Sequence, residues 1–203
     1  AYSSTSAITK RFASNYFDKR LAKILLESEN EILNICKKYS INCRVIRPTI
    51  IYGVYKDLDD GNFSRIVRLF KKIPLCFIPN NTGYRQPIHF SQLSKLTYLF
   101  LTQIKKDSNL EKTYKIIEVG GDEELTYKDL LERLSTISEK KYKKTCKLIS
   151  IPNKLFLLII SPLLVLKPKL FDALYRMQAD LSGFTKYSYF SEEEPVDVKF
   201  DDY

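Results

Sequence analysis

Two groups of side chains in this sequence are of types that bind or activate a polar ligand. A run of hydroxyls, Ser3, Ser4, Thr5 and Ser6, lies at the start of the chain. These hydroxyls could orient a substrate, or they could satisfy the backbone of a loop. Arg85 carries a planar guanidinium whose fork matches phosphate oxygens, so it could bind a diphosphate. The alternative for Arg85 is a surface ion pair.

A tyrosine and a cation are spaced as neighbours on one helical face. Tyr16 precedes Arg20 by four residues, with Lys19 one residue earlier, and side chains four apart share a helix face. A free phenol has a pKa of about 10, and a nearby cation stabilises the phenolate. The pair could therefore serve as a base. The alternative is an exposed tyrosine at the start of a helix.

The cysteines and the single histidine argue against a structural metal site. Cys36, Cys43, Cys76 and Cys146 form no CxxC pair, and His89 is the only histidine. A Cys/His zinc set therefore lacks its ligands. No signal peptide is recognisable near the N-terminus, which favours a reducing cytoplasm and free thiols.

Length and composition are those of an ordinary folded chain with one core. The 203 residues are 44% hydrophobic and 28% charged, close to the averages for globular proteins. The chain begins at Ala1, and its first residues look like the middle of a fold. We therefore expect a further segment upstream.

The basic charge of the chain is scattered, apart from one cluster. The net charge is +9, and an acidic stretch near the end opposes the basic cluster. No basic run is interleaved with aromatic residues in a nucleic-acid motif, so a nucleic-acid partner is not expected. The cluster comprises Lys140, Lys141, Lys143, Lys144 and Lys147.

Helical and strand patterns alternate along the chain. This alternation predicts a layered α/β fold with a parallel sheet, because neighbouring parallel strands need crossover connections. Ser91 is expected to be a helix N-cap, and Thr126 with Asp129 resembles a capping box. The predicted helices cover about 16–39, 62–72, 91–104 and 126–137, the strands cover 43–46 and 114–119, and short extended pieces cover 77–88.

The C-terminal part contains an uncharged apolar stretch, residues 155–166, interrupted by Pro162 and followed by Lys167 and Lys169. It falls short of the roughly 20 residues that span a bilayer. A buried helix and a peripheral membrane contact both stay open. Residues 170–181 predict an amphipathic helix, and a partly ordered tail is expected from Ser182 onward.

Four stretches in order resemble the NAD-dependent epimerase/dehydratase members of the extended short-chain dehydrogenase/reductase superfamily, which act on activated sugars. A fifth stretch, residues 175–181, resembles polysaccharide-cluster relatives. The four are the Tyr-Ser-Ser-Thr-Ser of 2–6, the Arg-Pro-x-x-x-Tyr-Gly of 47–53, the Arg-x-x-x-His of 85–89 with its following helix start, and the strand and glycine turn of 114–121 with Leu-Thr-Tyr after it.

The resemblance implies the later part of a Rossmann-like doubly wound parallel sheet over residues 1–150 and a small, mainly helical subdomain over 151–203. It also implies NAD or NADP as cofactor and a nucleotide sugar or lipid-linked sugar as partner, in surface polysaccharide biosynthesis. No G-x-x-G-x-x-G fingerprint is present, so the main cofactor-binding half is expected elsewhere. The expected location is cytoplasmic, with membrane association and a homodimer left open.

The resemblance also implies roles for individual residues. Ser4 and Thr5 match the active-site hydroxyls, with Tyr16 as the base, although the family has lysine where Arg20 stands. If the helix is aligned without gaps from Arg47-Pro48, Leu21 and Leu25 take the catalytic positions, and the alternative is an inactive binding or assembly protein. The remaining matches assign Lys19, Arg47 and Pro48 to the cofactor and Thr49, Tyr52, Arg85 and His89 to the substrate, His89 chiefly as a loop anchor.

Overall fold

The structure is a computed structural model that describes residues 1–56, 58–106, 114–191, 198 and 200, with only the backbone described for 103–106. The α-helices are α1 (Ser6–Thr9), α2 (Tyr16–Lys38), α3 (Phe63–Phe70), α4 (Phe90–Lys106), α5 (Tyr127–Tyr142), α6 (Asn153–Ile160), α7 (Leu163–Leu166) and α8 (Pro168–Tyr175). The strands are β1 (Cys43–Pro48), β2 (Ile51–Tyr52), β3 (Leu75–Pro79), β4 (Tyr84–Arg85), β5 (Ile88–His89), β6 (Tyr114–Gly120), β7 (Leu125–Thr126), β8 (Lys147–Ile151) and β9 (Thr185–Lys186).

The predicted α/β class is confirmed, and the described residues form two compact units. The first unit contains 1–50, 88–122 and 183–198, and the second contains 51–87, 123–182 and 199–203, as far as these are described. The units alternate along the sequence. Residues on both sides of position 150, where we predicted a domain boundary, therefore share the second unit.

The parallel sheet of the first unit is built around β1. β1 pairs with β6 from Cys43 opposite Tyr114 onward, and β6 pairs with β9, both in parallel. The segment Ala1–Thr5 runs along the other side of β1. There the Ile46 N–H donates to the Ala1 carbonyl at 2.9 Å, and the Ser3 N–H donates to the Ile46 carbonyl at 2.8 Å.

Strand β1 continues to Pro48, whereas the sequence pattern predicted its end at Ile46. Proline lacks an N–H, but its carbonyl still accepts a hydrogen bond from the Thr5 N–H at 3.1 Å. The strand loses one donor and keeps one acceptor at this position. Pro48 therefore belongs to the sheet and brings the end of β1 beside Thr5.

Helix α2 covers the sheet of the first unit and confirms the predicted helix. Its N-cap, Asn15, accepts a hydrogen bond from the Asp18 N–H at 2.9 Å, which satisfies an otherwise unpaired donor. The buried side chains of α2 are Asp18, Ala22 and Glu29, and the helix contacts both β1 and β6. Two of these three are acids, so the inner face of α2 is partly polar.

The second unit pairs β3 with β8 in parallel and β4 with β7 antiparallel. Helix α5 packs on α3, and the core includes Phe63, Phe70 and Leu134. The predicted start of α5 is confirmed, because Thr126 is its N-cap and accepts a hydrogen bond from the Asp129 N–H at 3.1 Å.

The apolar stretch 155–166 forms two helices, α6 and α7, separated at Ser161 and Pro162. The interpretation as a single buried helix is wrong for most of it. Only Phe156 and Ile160 of α6 are buried, and α7 buries no residue. Within the described part of the chain, no helix is long and apolar enough to cross a bilayer. The acidic stretch 192–197 lies outside the described residues.

Candidate active site

The candidate site of the first unit lies where its parallel segments end. Ala1–Thr5, β1, β6 and β9 all run in the same direction. In open α/β sheets ligands bind beyond the carboxyl ends of the strands. Ser4, Pro48 and Thr49 therefore lie at the edge where this class of fold places its ligands.

Thr5 and Pro48 are in direct contact. The Thr5 hydroxyl donates to the Pro48 carbonyl at 3.2 Å, in addition to the bond from its own N–H. Thr5 is buried, and its hydroxyl proton is engaged with the backbone. The Thr5 hydroxyl therefore satisfies a backbone carbonyl, and its predicted role as an active-site hydroxyl stays a prediction.

Ser4 has a half-buried hydroxyl at this edge. Its Oγ accepts a hydrogen bond from the Ser6 N–H at 3.1 Å, at the start of α1. Within the described part of the chain this is the only bond of the Ser4 hydroxyl, whose proton stays available. The side chain is half-buried. Its oxygen is held in place, and its O–H can still donate.

Arg47 lies in a buried ion-pair network. Its Nε donates to Glu29 Oε1 at 2.9 Å, its Nη2 donates to Glu29 Oε2, and its Nη1 donates to Glu118 Oε1 at 2.8 Å. Ser3 donates its hydroxyl to Glu29 as well. The network ties α2 to β1 and β6, so Arg47 has a structural role here. Its contact with a cofactor stays a prediction.

The electrostatics of this network fix both partners in their charged forms. Burial by itself would raise the pKa of Glu29, but hydrogen bonds from Arg47 and Ser3 and the charge of Arg47 outweigh it and lower the pKa. The hydrogen bond to Glu29 is the main reason that the pKa of Arg47 is raised. Sequence reasoning missed Glu29 and Glu118. Only the position of Glu29 on the inner face of α2 could have indicated its role.

Tyr16, Lys19 and Arg20 occupy the first turn of α2 and are exposed. Tyr16 is 67% exposed, and its ring meets Phe17 edge-on at 6.1 Å. The buried face of the same turn carries Asp18, which pairs with Lys10 at 2.9 Å. The structure thus places the predicted base and its cation on the solvent side of the helix.

The alternative register also lacks a catalytic pair. Leu21 is exposed and Leu25 is half-buried. Neither side chain can exchange a proton or carry charge. Whichever register applies, the buried stripe of α2 contains no tyrosine and no lysine.

His89 anchors the start of α4. Its Nδ1 lies 2.6 Å from the Ser91 hydroxyl, and its N–H donates to Gln92 Oε1 at 3.2 Å. Ser91 therefore lies inside the first turn, and the helix begins at Phe90 rather than after Ser91 as predicted.

Thr49 directly follows the last residue of β1. Its backbone N–H donates to the Val119 carbonyl of β6 at 2.9 Å.

Tyr52 of the second unit is buried in an aromatic cluster. Its ring centroid lies 6.4 Å from that of Phe63 and 4.9 Å from that of Phe200. Phe63 and Phe200 also meet edge-on at 5.1 Å. This environment gives Tyr52 a packing role, and its predicted part in a sugar pocket stays a prediction.

Arg85, also in the second unit, is buried rather than at the surface. Its Nη1 donates to the carbonyls of Tyr84 at 2.7 Å and Ala179 at 2.6 Å, and its Nη2 donates to the carbonyl of Arg176. The guanidinium carbon lies 4.8 Å from the centre of the Tyr127 ring. Arg85 thus closes the turn that contains residues 176–179, and a surface ion pair is ruled out.

Burial also sets the charge properties around Arg85. It lowers the pKa of Arg85 to about 10 and raises the pKa of Tyr127. Both groups keep their ordinary protonation at neutral pH. Binding of a diphosphate would require Arg85 to leave its carbonyl partners, and this role stays a prediction.

Several solved structures share the fold of this chain. Pal from Bacillus thuringiensis matches with a TM-score of 0.58 and 14% identity, covering 99% of this chain and 58% of that protein. GDP-mannoheptose C4 reductase from Campylobacter jejuni, solved with NADP bound, matches with a TM-score of 0.55 and 11% identity, covering 75% of this chain and 55% of that protein. UDP-glucose 4-epimerase from Thermotoga maritima, solved with UDP-glucose, matches with a TM-score of 0.53 and 12% identity, covering 90% of this chain and 50% of that protein.

These similarities define an α/β fold with a parallel sheet, of the Rossmann-like kind. The chain spans 50–58% of the length of these three proteins. No model of a known protein family matches the chain, and no curated protein matches it.

Proposed function

We propose that this chain provides the later strands and helices of an NAD(P)-dependent epimerase or dehydratase acting on a nucleotide sugar or lipid-linked sugar. The observation that carries the proposal is the parallel run of Ala1–Thr5 beside β1, which brings Ser4 to the carboxyl edge together with Pro48 and Thr49. The order of these segments matches the sequence resemblance. The solved structures support it, because one is a UDP-glucose 4-epimerase with UDP-glucose and another is a GDP-mannoheptose C4 reductase with NADP bound.

The outer edge of the Ala1–Thr5 segment fits a sheet that continues. The N–H and C=O of Tyr2 and the N–H of Ser4 face away from β1, and they make no backbone bond within the described residues. Unpaired strand edges are normally covered or paired in native proteins. A further parallel strand would pair here in the proposed enzyme, whose pyrophosphate-binding glycines are not among these 203 residues.

In the proposed reaction a side chain of the protein would take the proton of a sugar hydroxyl that is oxidised to a ketone. A nicotinamide, NAD or NADP, supplies the hydride chemistry when bound. Ser4 donates its free O–H to the sugar oxygen, while Pro48 and Thr49 form the wall of the site. Tyr16 is the candidate base, with Arg20 and Lys19 as its cations, and a bound ligand must cover the first turn of α2 for this role.

A second candidate function is a catalytically inactive protein of the same fold that binds a ligand or assembles with a partner. The observation that favours it is the position of Tyr16 and Arg20 on the exposed side of α2, whose buried face carries Asp18 and Glu29 instead. In this case cofactor binding, if retained, would occur without turnover.

The two candidates are separated by measuring cofactor binding and turnover on the full-length protein. We expect NAD or NADP to bind in a calorimetric titration, and one member of a panel of nucleotide sugars to be converted. Ser4→Ala should lower kcat by roughly tenfold to a hundredfold with cofactor binding intact. Thr136→Ala, which removes an exposed hydroxyl on α5, is the control and should change neither.

The outcomes are distinct. Binding without conversion of any sugar would favour the inactive candidate. Absence of cofactor binding would overturn the proposed enzyme. A role in surface polysaccharide biosynthesis and a homodimer belong to the same proposal, and they are tested by the sugar that is turned over and by the mass of the protein in solution.

A further inference from the structure

The second unit exposes an aliphatic surface that is unusually apolar. We define the aliphatic face as Leu155, Leu158 and Ile159 of α6 with Leu164, Val165 and Leu166 of α7. Leu158 is 69% exposed, Val165 84% and Leu166 74%. Single exposed apolar side chains are common, whereas a contiguous set in one short stretch marks an interaction site.

The helical geometry explains why this face exists. Phe156 and Ile160, four residues apart, point into the core from one side of α6. Leu155, Leu158 and Ile159 lie at the complementary three- and four-residue steps and point outward. The break at Pro162 then turns the chain into α7, which has no buried side chain, and α8 packs against both α6 and α7. The exposed aliphatic residues therefore form one local surface.

The charge along the segment that contains the aliphatic face has a single sign. From position 140 to position 171 the sequence contains eight lysines and no Asp or Glu. Lys154, Lys167 and Lys169 flank the face and are exposed, while Asp172 just beyond it is buried. Lysine stems can lie along an apolar surface with their ammonium groups in the polar layer.

We propose that the aliphatic face docks on the surface of an anionic lipid bilayer. This inference goes beyond the proposed enzymatic function and does not depend on it. The face is made only of Leu, Ile and Val, and it lacks the Trp, Tyr and Arg anchors that dominate protein interfaces. Leucine side chains beside lysines suit the boundary between acyl chains and anionic headgroups.

The test is a vesicle-binding assay on the full-length protein. Vesicles contain phosphatidylcholine alone or with about one third phosphatidylserine, and the bound fraction is measured by sedimentation at low and high salt. We expect binding to the anionic vesicles, at least tenfold weaker binding to neutral ones, and a decrease with salt.

Two variants separate the apolar and charged contributions. Val165→Glu with Leu166→Glu should weaken binding by at least roughly tenfold, because both side chains would leave the acyl boundary. Lys154→Gln, Lys167→Gln and Lys169→Gln together should remove most of the preference for anionic vesicles. The matched control is Tyr98→Glu with Leu101→Glu, two exposed apolar residues on α4, which should leave binding within about twofold. All changed residues are exposed, so the variants should keep the fold, which circular dichroism verifies.

Three results would overturn the proposal. The first is failure of the wild-type protein to bind anionic vesicles at low salt. The second is equal loss of binding in the α4 control. The third is a wild-type oligomer that V165E with L166E converts to monomers without any effect on vesicles, which would assign the face to a second copy of the chain.

Discussion

Thr5 gives both of its donors to one acceptor: its N–H and its hydroxyl bond to the Pro48 carbonyl at 3.1 and 3.2 Å. Pro48 has no N–H to offer in return, so these two bonds hold the ends of the two segments together. They fix the position of Ser4, the residue before Thr5, relative to Thr49, the residue after Pro48. The candidate site of the first unit thus rests on one backbone bond and one side-chain bond to the same carbonyl.

The Glu29–Arg47 ion pair should be a major source of stability. Glu29→Gln removes the charge that Arg47 faces in a buried setting and should destabilise the protein by about 2–4 kcal/mol, since Glu118 remains as a partial partner. Urea unfolding measures the change. Glu27→Gln, which alters an exposed acid of the same helix paired with Lys23 at 3.7 Å, should change stability by less than about 0.5 kcal/mol. Similar effects in the two variants would show that the buried ion pair of Glu29 contributes no more than an exposed one.

The same pair predicts a loss of stability in acid. The pKa of Glu29 is lowered in the folded protein, so its contribution is present above the unfolded pKa of about 4.3 and is lost as pH falls through the lower, folded pKa. The free energy of unfolding should therefore fall more steeply below about pH 4.5 in the wild type than in Glu29→Gln. Parallel pH profiles for the two proteins would show that Glu29 is not the group involved.

Gly83 should tolerate no side chain. A Cβ built there lies 2.0 Å from the Ala179 carbonyl oxygen and 2.7 Å from the Asp180 nitrogen. Gly83→Ala must push this backbone away and should cost about 2–4 kcal/mol of unfolding free energy. Gly61→Ala is the matched control, because no atom of the described residues beyond its chain neighbours lies within 4 Å of its added Cβ. Its expected effect stays within about 0.5 kcal/mol, and equal costs at both positions would argue against the close approach at Gly83.

We expect a substitution at Arg85 to affect the stability of the fold more than the binding of a ligand. Arg85→Lys keeps a positive charge but cannot supply the forked donors for three carbonyls, so we expect a loss of about 2–3 kcal/mol. Thermal unfolding checks the change, with Arg65→Lys, an exposed arginine on α3, as the control. A variant with unchanged stability and lost nucleotide-sugar binding would instead support the predicted diphosphate contact.

The sequence predicts those elements of the fold that are determined by interactions between residues close in the chain. The three- and four-residue spacing of apolar side chains predicted α2, and the Thr126 cap predicted the start of α5. The alternation of helices with strands predicted the parallel sheet. These features depend on residues that are close in the chain, so a periodic pattern reveals them.

Features that depend on distant partners were not predictable in the same way. Glu29 and Glu118 meet Arg47 only because α2, β1 and β6 are stacked in space. The burial of Arg85 depends on carbonyls about ninety residues later in the chain. The sequence pattern predicts the end of β1 at Ile46, because the missing N–H of Pro48 is visible in the sequence whereas the acceptor role of its carbonyl is not.

We propose that the ends of Ala1–Thr5 and β1 form the ligand edge of the first unit. A crystal structure of the full-length protein with NAD or NADP tests it most directly. We expect the nicotinamide to be in van der Waals contact with Pro48, and close enough to the Ser4 hydroxyl for one sugar ring to contact both. A cofactor bound with its nicotinamide away from both residues, while the Thr5–Pro48 pairing is intact, would contradict it.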